Sequence, residues 1–502
     1  MTTSIMGDLT LSLEDRIEEA INTARGTFQT GRTRPLKWRI TQLKALKTML
    51  DEHEHAFCSA LYRDLGKSYF EANYIELDNV RNSCDFFVKN LKKLMKPKSA
   101  DVPWYMKSST KAKVIHEPLG VVLIFSAWNY PLLLALDPLV AAIAAGNAVV
   151  VKPAECAKSM CLILKQLLPK YLDAHAVKVL EATKEECAVL LTYKFDKIFY
   201  TGSPRIGRII MEAAAKHLTP VTLELGGKSP AIVDSTADIF TAARRLAATK
   251  WMINCGQTCI APDYVLVHSD VTSLFLEGLK QSLLSFMSPL LESANTDVET
   301  DQETDFMPRI INKESLARLQ TLLDEVQDSV VFKLGETDTK KLTMMPTILL
   351  NPSMESKIMQ EEIFGPILPV LQVHNMEEAI NFVCSRPQPL ALYMFTSNKK
   401  LAKEVVEKTS SGSVVINDAG TQFGLESIPF GGIGESGMGS YHGRYGFDTF
   451  SHQKGVVTTQ ASSDDPIRYP PYSAKNKAIL RACLRNKSML DVILIKLGMR
   501  KF

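Results

Sequence analysis

Apolar side chains recur at helical spacing through the first hundred residues of the chain. Ile17 and Ile21 follow a candidate N-cap at Ser12, and Gly31 supplies a stop signal. A second helical pattern extends from about Trp38 to Leu65. Positions three and four apart share one face of a helix, so the pattern predicts amphipathic helices that pack on a domain core.

From residue 112 the pattern changes to short apolar runs that alternate with helical stretches. A nearly continuous apolar stretch from Leu132 to Ala145 predicts a buried helix, and another helix is expected from Pro204 to about Lys216. Strands that alternate with helices are typical of a parallel, doubly wound α/β sheet. The runs predicted as strands are Val121–Phe125, Ala148–Val151, Lys197–Tyr200, Val221–Glu224 and Ala231–Val233.

A similar alternation resumes between residues 263 and 417, which predicts a second α/β domain. The stretch from Ser293 to Asp305 is polar and acidic and predicts a surface loop. With 502 residues, 46% of them hydrophobic and 23% charged, the chain has the composition of a soluble globular protein with more than one folding unit. Disordered and collagen-like proteins are excluded by this composition.

The net charge of +3 is unevenly distributed along the chain. From Arg468 to Phe502 there are nine basic residues and one acid, Asp491, so this tail carries +8 and leaves −5 for the remainder. The mildly acidic body argues against nucleic acid as a partner, whereas the basic tail points to an anionic contact.

The nine cysteines are scattered without a CxxC pair, and histidines do not accompany them at the spacing of zinc ligands. The N-terminal sequence lacks the basic start and apolar run of a signal peptide. These features favour a reducing, cytoplasmic compartment with free thiols, and they give no indication of a metal site.

Two segments hold candidate chemistry that is weak when each is taken alone. In TGSPRIG, Gly202, Ser203 and Gly207 lie where a predicted strand is followed by a helix. A helix N-terminus there favours the phosphates of a dinucleotide, but the segment is not GxGxxG and an ordinary strand–helix turn explains it as well. In NCGQTCIAP, Cys255 and Cys259 lie four residues apart, and a buried cysteine is usually inert.

Three further motifs strengthen the case for Cys259 as a nucleophile. Glu224 lies 35 residues upstream in LELGGKSP, where the glycine pair is expected to let the backbone pass close behind its carboxylate. Asn129 in SAWNYP has a side-chain amide that can donate to an oxyanion. A second acid, Glu362, lies in QEEIFGP beside Phe364.

In order and approximate spacing these motifs resemble the signature set of the aldehyde dehydrogenase superfamily, over roughly Ile17 to Lys454. The likeness is closest to the class 3 enzymes, which include the fatty aldehyde dehydrogenases. The catalytic segment GQTCIAPDY and the late segment Pro429–Lys454, with its YHG tripeptide, follow the class 3 pattern. Tyr130 and Phe430 are the two side chains expected in the wall of the substrate pocket.

The resemblance implies oxidation of a medium- or long-chain aliphatic or aromatic aldehyde to its carboxylic acid, through a thiohemiacetal and a thioester on Cys259. Asn129 and the Cys259 backbone N–H would hold the oxyanion, and Glu224 would activate the hydrolytic water. Simpler interpretations stay open: Cys255 as the nucleophile, Asn129 as a brace for the turn before Pro131, and Glu224 as a cap for backbone amides. The alternative function is a cysteine-dependent esterase or thioesterase without redox chemistry.

The resemblance also implies NAD as the cofactor, with NADP left open. Lys152 and Glu155 in VVKPAE would hold the adenosine ribose, where a glutamate favours NAD by repelling a 2′-phosphate. Glu362 and Phe364 would contact the nicotinamide side, with Glu362 a second candidate for proton transfer. The full set of residues implied to contact the cofactor is Trp128, Lys152, Glu155, Gly202, Ser203, Gly207, Glu362 and Phe364.

The implied architecture is two doubly wound α/β domains, one Rossmann-like and NAD-binding and the other catalytic, with a small bridging strand element. Residues 1–226 would form the N-terminal helices and the NAD-binding domain, 227–425 the catalytic domain, and 426–460 the return to the NAD domain with a bridging strand. A homodimer is the habit of class 3, with strands near Lys111–Glu117 and Gly455–Thr459 expected to pair between subunits.

The tail from 461 to 502 is basic and amphipathic, and Asp491 and Lys496 interrupt its apolar stretch. A membrane-spanning helix needs about 20 mostly apolar residues, which the tail does not offer. It is expected to dock on the protein itself or over the substrate entrance, to lie on an anionic membrane surface, or to stay disordered. The expected location is the cytoplasm, with the cytosolic face of an intracellular membrane as an alternative.

Overall fold

The structure is a computed structural model, and it describes residues 12–293, 307–485 and 487–500. Of the acidic stretch expected as a surface loop, positions 294–305 lie outside these residues. The strands are β1 Lys98–Ala100, β2 Thr110–Pro118, β3 Val121–Phe125, β4 Ala148–Lys152, β5 Val177–Val179, β6 Lys197–Thr201, β7 Val221–Glu224, β8 Pro230–Val233, β9 Tyr264–His268, β10 Val330–Lys333, β11 Thr347–Leu350, β12 Ile367–Val373, β13 Ala391–Phe395, β14 Ser413–Ile416, β15 Gly437–Met438 and β16 Ser451–Thr459.

The α-helices are α1 Leu13–Gln29, α2 Leu36–Glu52, α3 Glu54–Leu65, α4 Tyr69–Glu71, α5 Asp78–Leu94, α6 Leu133–Ala145, α7 Lys158–Tyr171, α8 Lys184–Leu190, α9 Pro204–Ala215, α10 Ile239–Ala247, α11 Thr272–Ser293, α12 Lys313–Asp324, α13 Lys357–Gln360, α14 Met376–Cys384, α15 Lys399–Lys408, α16 Gly443–Thr449, α17 Ala474–Leu484 and α18 Met489–Lys496. Two π-helical segments cover Ala72–Leu77 and Ala248–Met252. The 3-10 turns are Trp104–Met106, Asn254–Gly256, Ser269–Val271, Gln327–Ser329, Thr421–Gly424, Gly434–Ser436 and Pro466–Arg468.

A six-stranded sheet has the order β15-β7-β6-β3-β4-β5. The pairings between its neighbouring strands are parallel, apart from the antiparallel pairing of β15 with β7. Strands β3, β4 and β6 are buried along their whole length. Strands covered on both faces need apolar side chains at nearly every position, which explains the continuous runs in the sequence.

A seven-stranded sheet has the order β10-β11-β12-β9-β8-β13-β14. Its strands pair in parallel, except that β10 and β11 are antiparallel. Apolar side chains of β8, β9, β12 and β13 form one hydrophobic core with α12 and α14. The two sheets confirm the α/β class with two doubly wound layers, and the chain passes from the first sheet to the second between Glu224 and Pro230.

The N-terminal helices follow the predicted pattern with one difference. Helix α1 begins after Ser12, whose hydroxyl accepts from the Asp15 N–H while the Asp15 carboxylate accepts from the Ser12 N–H, so the expected cap is a full capping box. The helical stretch expected from about Trp38 to Leu65 is present as two helices, α2 and α3. It is divided at His53, whose backbone (φ −119°, ψ 22°) ends α2 and precedes α3.

The described chain divides into two compact units. The first consists of the described residues up to Leu91 together with Pro118–Phe450, and it contains both large sheets. The second consists of Lys92–Glu117 and the described residues from Ser451 onward. Among the helices of residues 12–293, 307–485 and 487–500, none is long and apolar enough to cross a membrane.

The second unit contains a three-stranded sheet and a helical hairpin. The sheet has the order β1-β2-β16, so the strands expected near 111–117 and 455–459 belong to one sheet within this chain. Helices α17 and α18 pack against each other around a small core of Ile479, Ala482, Val492 and Ile495. The Trp104 indole N–H donates to a backbone carbonyl between these helices, that of Lys487, at 2.9 Å.

Candidate active site

Cys259 lies in a turn between the second π-helical segment and β9. The preceding residues, Asn254–Gly256, have φ angles of 49°, 52° and 74°, a left-handed conformation that non-glycine residues rarely adopt. The buried side chain of Gln257 holds this turn: its amide nitrogen donates to the Arg309 carbonyl at 2.9 Å and its oxygen accepts from the Ile311 N–H at 3.1 Å. The unusual backbone is therefore fixed by several independent hydrogen bonds.

The two cysteines of this turn lie in different surroundings. Cys255 is fully buried in the core of the seven-stranded sheet, with its thiol 3.8 Å from the Met344 carbonyl. Cys259 is only partly buried. Burial raises the pKa of its thiol to about 12, and the carboxyls of Glu362 and Glu224 contribute to this rise. Only Cys259 therefore combines access with neighbouring proton acceptors, which favours it over Cys255 as the nucleophile.

Glu224 lies at the end of β7, where the chain leaves the sheet. Its side chain is buried, and neither carboxyl oxygen has a hydrogen-bond partner among the residues that the structure describes. Burial raises the pKa of Glu224 well above its usual value. The alternative role of a cap for backbone amides gains no support, because no N–H of the described residues bonds to this carboxyl. A buried, unpaired carboxyl can accept a proton at neutral pH.

Glu362 occupies the space beside the glycine pair of LELGGKSP. A Cβ on Gly226 would collide with both oxygens of the Glu362 carboxyl. The glycine expected to clear the backbone behind Glu224 therefore makes room for Glu362 instead. Burial, followed by the charge of Asp263, raises the pKa of Glu362 to about 8. Glu362 is thus protonated over most of the neutral range and can exchange that proton.

Asn129 lies at the start of the segment that leads into α6, and it is buried. Its side-chain nitrogen donates one hydrogen bond, to the Gln257 carbonyl at 3.1 Å. Its backbone carbonyl accepts from Asn254 and Lys67, each at 2.8 Å. A carboxamide nitrogen has two N–H groups, so one has no acceptor in the described part of the chain and can donate to an oxyanion.

Lys152 and Glu155 form an ion pair at the end of β4. Lys152 is buried at this position and Glu155 is about half exposed. The lysine lowers the pKa of Glu155, against the opposing effect of burial. A cation and a carboxylate at the carboxyl end of a parallel strand suit the hydroxyls of a ribose, which is the role the resemblance implies.

The TGSPRIG segment forms the turn from β6 into α9, as expected. Ser203 is the N-cap residue, but its side chain accepts no bond from the helix N–H groups, which leaves them available to an anion. Gly202 has a φ of 158°, and a Cβ there would collide with the Tyr200 hydroxyl. A Cβ on Gly207 would lie 3.0 Å from Leu225, so this glycine permits close helix–sheet packing. The uncapped helix N-terminus favours a site for a dinucleotide phosphate over an ordinary strand–helix turn.

Trp128 and Phe364, expected at the cofactor, meet edge to face with ring centroids 5.4 Å apart. Phe364 has a positive φ of 53°, a strained conformation for an aromatic residue. This contact joins SAWNYP to QEEIFGP, two motifs more than two hundred positions apart. The aromatic pair therefore lies between the segments of Asn129 and Glu362.

Lys228 and Asp263 are charged residues of the motifs whose role the sequence did not indicate. They form a largely buried ion pair. The Lys228 ammonium also donates to the backbone carbonyls of Ile358 (2.7 Å) and Glu361 (3.0 Å), and Asp263 accepts from the Ile363 N–H at 2.9 Å. This pair connects LELGGKSP, CIAPDY and QEEIFGP. The sequence feature that could have indicated this pair is the presence of a lysine and an aspartate within otherwise apolar or glycine-rich motifs.

Lys67, Glu71 and Glu76 were also missed by sequence analysis. All three are buried, although they belong to a segment with helical spacing whose charged residues are normally expected on the surface. Lys67 donates to Glu76 at 2.6 Å, and Glu71 accepts from the Asn254 N–H at 2.8 Å. Periodicity gave no signal for them, because only tertiary structure brings their partners close.

A buried group of polar side chains lies beside the expected pocket residue Phe430. The Ser83 hydroxyl contacts the carboxyls of both Asp137 and Glu426, the latter at 2.6 Å. One hydroxyl has a single proton to donate, so the other carboxyl must hold a proton of its own. Burial raises the pKa of Asp137 to about 8, in agreement with this requirement. His442 stacks on the Phe430 ring, with centroids 5.0 Å apart.

Tyr130, the other expected pocket residue, is buried beside the Cys259 turn. Its hydroxyl shares a hydrogen bond of 2.5 Å with the Thr258 hydroxyl. Its ring lies 3.9 Å from the Lys67 ammonium, a cation–π contact. Tyr130 therefore connects the Asn129 segment to the residue that precedes Cys259.

Comparison with known proteins gives consistent matches along the chain. The profile of the Aldehyde dehydrogenase family matches residues 1–456. Aldehyde dehydrogenase family 3 member H1 of Arabidopsis thaliana is 45% identical over 477 residues, which are 95% of this chain and 96% of that protein. The substrate-bound state of Staphylococcus aureus AldH is similar with a TM-score of 0.87 and 38% identity, over 93% of this chain and 99% of the other.

A solved structure with bound cofactor is also similar. Glyceraldehyde-3-phosphate dehydrogenase GapN from Methanocaldococcus jannaschii, complexed with NADP, has a TM-score of 0.78 and 25% identity, over 90% of this chain and 95% of that one. The similarity therefore extends over both large sheets and the motifs between them.

Proposed function

The chain belongs to the aldehyde dehydrogenase family, and on that premise we propose that Cys259, Glu224 and Asn129 carry out its reaction. The reaction is the oxidation of an aldehyde with NAD or NADP. The likeness to a family 3 member supports a class 3 type of enzyme, as the motifs predicted. The esterase alternative gains no support from these relatives.

The first step is addition of the Cys259 thiolate to the aldehyde carbon. An aldehyde has no alkoxide that can expel hydride, and the tetrahedral thiohemiacetal supplies one. When bound, NAD or NADP would accept the hydride that leaves this carbon. The carbon then loses hydride and becomes the acyl carbon of a thioester on Cys259. Water cleaves this thioester to the carboxylic acid and restores the thiol.

Asn129 and the Cys259 backbone N–H are the proposed donors to the oxyanion. The support is the bond of the Asn129 amide to the Gln257 carbonyl, two residues before Cys259, and a second N–H of this amide that has no acceptor among the described residues. If Asn129 only braced its own turn, the bonds accepted by its backbone carbonyl would be explained, but the bond from its side-chain amide to Gln257 would not. Loss of one such donor typically lowers the rate by about 100- to 1,000-fold.

Glu224 is the proposed base for the water that cleaves the thioester. It is near enough to raise the pKa of the Cys259 thiol, and its carboxyl oxygens have no competing partner among the described residues. The raised pKa of Glu224 makes it a stronger proton acceptor than an exposed carboxylate. Glu362, whose pKa is about 8, is the second candidate for proton transfer.

The cofactor is proposed to lie along the carboxyl ends of β4 and β6. Lys152 and Glu155 would hold the adenosine ribose, and the uncapped N-terminus of α9, with the turn from Gly202 to Gly207, would hold the diphosphate. Trp128, Glu362 and Phe364 would contact the nicotinamide half. The Glu155 carboxylate favours NAD, because it would repel a 2′-phosphate. The proposed domain division at 226 and 227 assigns the ribose and diphosphate residues to the NAD-binding domain, and Glu362 and Phe364 to the catalytic domain.

The substrates are proposed to be medium- or long-chain aliphatic or aromatic aldehydes. The support is that both expected pocket residues are buried aromatic side chains, Phe430 and Tyr130, and that Tyr130 is hydrogen-bonded to the residue before Cys259. Specificity should appear as a rise of kcat/KM with chain length, because each added methylene buries more apolar surface. A chain-length series assayed with NAD and NADP in parallel tests both the substrate class and the cofactor preference.

The observation that carries the proposal is the placement of Glu224 and Glu362 near Cys259, where both carboxyls raise the pKa of its thiol in addition to the effect of burial. Cys259→Ser should abolish reduction of NAD by aldehyde, with Cys255→Ser as the matched control that retains it. Undiminished oxidation by Cys259→Ser would refute the mechanism. Acid formation by the unaltered enzyme without equivalent NAD reduction would instead favour the esterase.

The tail is proposed to contact an anionic membrane surface through the α17–α18 hairpin. One face of the hairpin forms the small core described above, but Leu484, Leu490 and Leu497 are 79%, 65% and 67% exposed. Basic side chains accompany them, which complements anionic headgroups. The alternative, that the hairpin only docks on the protein, leaves these exposed leucines without a role. The cytoplasmic location remains a prediction.

Co-sedimentation with liposomes tests the tail. Full-length protein should sediment with anionic vesicles, less so at high salt, and Leu490→Ser/Leu497→Ser should reduce recovery. Leu218→Ser, which replaces a leucine that is 91% exposed elsewhere, is the matched control. Equal, salt-insensitive recovery of the double variant, or of a chain ending at Gln460, would contradict the proposal.

A homodimer is proposed from the three-stranded sheet, in which β16 is an edge strand with mostly exposed residues. Edge strands leave backbone N–H and C=O groups that can pair with a second chain. Sedimentation equilibrium should give twice the mass of one chain, and a single-chain mass at micromolar concentration would contradict this.

A further inference from the structure

A buried lysine contacts the segment that carries the proposed oxyanion donor. The Lys67 side chain is fully buried, and its ammonium makes three contacts. It donates to Glu76 Oε1 at 2.6 Å and to the Asn129 carbonyl at 2.8 Å, and it lies 3.9 Å from the centre of the Tyr130 ring. An ammonium has three N–H groups, so these three contacts account for all of them.

Glu76 extends this arrangement to the start of α6. Its second carboxyl oxygen accepts from the backbone N–H groups of Leu132 and Leu133, at 3.0 and 3.1 Å. The first N–H groups of a helix have no partner within the helix, and a carboxylate there is favourable. The Lys67–Glu76 pair therefore contacts the Asn129–Leu133 segment at both ends.

We propose that Lys67 is the positioning residue of the oxyanion site: it fixes the Asn129 peptide directly, through its bond to the Asn129 carbonyl. This inference rests on the proposed function of Asn129. Rotation of the Asn129 peptide would move its amide away from the Gln257 carbonyl, and the Lys67 bond opposes that rotation together with the bond from Asn254 to the same carbonyl.

The competing interpretation is that the ion pair serves stability alone. A buried pair of charges is weak evidence for stability, because the cost of removing both from water offsets much of their attraction. The two interpretations predict different effects when Lys67 is replaced. A positioning residue acts through Asn129, so its effect on rate should vanish once Asn129 has been removed, whereas independent effects multiply.

The experiment measures the first-turnover rate, as reduced nicotinamide formed per active site, in Lys67→Met, Asn129→Ala and their combination. Asn129→Ala should lower this rate by about 100- to 1,000-fold. Lys67→Met should lower it by about 10-fold or more, and the combined variant should equal Asn129→Ala within about threefold. Lys67→Met/Glu76→Gln repeats the test without a buried unpaired carboxylate.

Two controls distinguish an effect on the position of Asn129 from a general perturbation of the site or of the fold. Alkylation of Cys259 by iodoacetamide needs no oxyanion, so its rate in Lys67→Met should stay within about threefold of the unaltered protein. Arg39→Met removes another buried cation, one that donates to the Ala144 carbonyl at the far end of α6. It should lower the thermal midpoint and leave the first-turnover rate unchanged.

Several results would overturn the inference. They are a Lys67→Met rate within about threefold of the unaltered protein, effects of Lys67 and Asn129 that multiply, or alkylation that falls in parallel with turnover. Loss of the folded state in both Lys67 variants while Arg39→Met folds would assign Lys67 to stability alone. An Asn129→Ala variant at full rate is a separate failure: it would refute the proposed oxyanion role itself.

Discussion

The Lys67 network and the Cys259 site are neighbouring buried polar regions that differ in how their atoms are paired. In the first, the charged atoms of Lys67 and Glu76 all have partners at hydrogen-bond distance or an aromatic face. In the second, both carboxyl oxygens of Glu224 lack partners among the described residues. Paired groups fix geometry, whereas unpaired groups are available to substrate, water and protons. The difference identifies which region positions and which reacts.

The largest expected effect compares Glu76→Leu with Glu224→Leu. Glu76→Leu leaves the Lys67 ammonium buried without its counterion, which should lower the free energy of unfolding by about 3–5 kcal/mol. Glu224→Leu removes an unpaired buried carboxyl, so stability should be unchanged or higher. Urea unfolding of both variants measures the contrast. Equal losses would show that pairing does not distinguish the two regions.

The next effect is on activity and concerns Glu224→Gln. Loss of a general base typically lowers the rate by about 100-fold or more, with the thioester accumulating on Cys259. The first turnover, which forms the thioester, should be much less affected. Quench-flow with mass spectrometry of the intact protein detects the acylated form. A variant that turns over normally, or one that never acylates, would contradict the assigned step.

These regions also show how far the sequence could be interpreted. Cys259, Glu224 and Asn129 were predicted because each residue type is needed for one chemical role and lies in its own motif. The alternation of apolar runs predicted both sheets, since buried parallel strands are apolar throughout. Lys67 could not be found, because its carbonyl partner, that of Asn129, lies 62 positions away and an isolated lysine in a helical pattern predicts exposure.

The glycine pair before Lys228 illustrates a second limit. The sequence predicted that the glycine pair lets the backbone pass close behind the Glu224 carboxylate, whereas in the structure Gly226 makes room for the carboxylate of Glu362. A glycine indicates that another group approaches the backbone closely at that position, and this much can be inferred from the local sequence. The identity of the group that fills the space depends on how distant strands pack. The break at His53 was missed for a related reason: a run of polar residues has no apolar period from which to judge continuity.

A third effect concerns the pH dependence of stability. The pKa of Glu362 is about 8 in the folded protein, against 4.5 for an exposed glutamate. Between pH 4.5 and 8, Glu362 is therefore protonated in the folded protein but ionised in the unfolded chain. Because the folded state binds the additional proton, the contribution of Glu362 to the free energy of unfolding is lost as pH rises from 4.5 through 8. Glu362→Gln should remove this part of the decline. Thermal midpoints across that range measure it.

Glu404 is the matched control for Glu362. Its exposed carboxyl has a lowered pKa, mainly through its hydrogen bond to Lys408, so its contribution is present above the unfolded value and lost as pH falls. Glu404→Gln should therefore have a weak effect on the dependence of the thermal midpoint on pH, and it should remove a loss of stability at low pH rather than at high pH. A Glu362→Gln profile parallel to that of the unaltered protein would contradict the protonated state assigned to Glu362.

A smaller effect is expected where Ser83 lies between Asp137 and Glu426. Because the two carboxyls share one hydroxyl proton, ionisation of both places like charges in a buried site. The free energy of unfolding of Asp137→Asn should equal that of the unaltered protein near pH 6 and exceed it by about 1–2 kcal/mol near pH 9. Asp85→Asn, at an exposed position on the preceding helix, should give no such gain. Equal pH profiles for Asp137→Asn and the unaltered protein would contradict the shared proton.

The smallest effect separates the two cysteines. Cys255 is an apolar part of the seven-stranded core and its thiol makes only a weak contact, so Cys255→Ala should cost about 1 kcal/mol of stability and leave turnover intact. Cys259→Ala removes a less buried side chain, and stability should change less while turnover disappears. Denaturant unfolding and steady-state assays on both variants measure the contrast. If Cys255→Ala also lost activity while it stayed folded, the strained turn from Asn254 to Gly256 would depend on that thiol, and the division between paired scaffold and reactive site would have to include it.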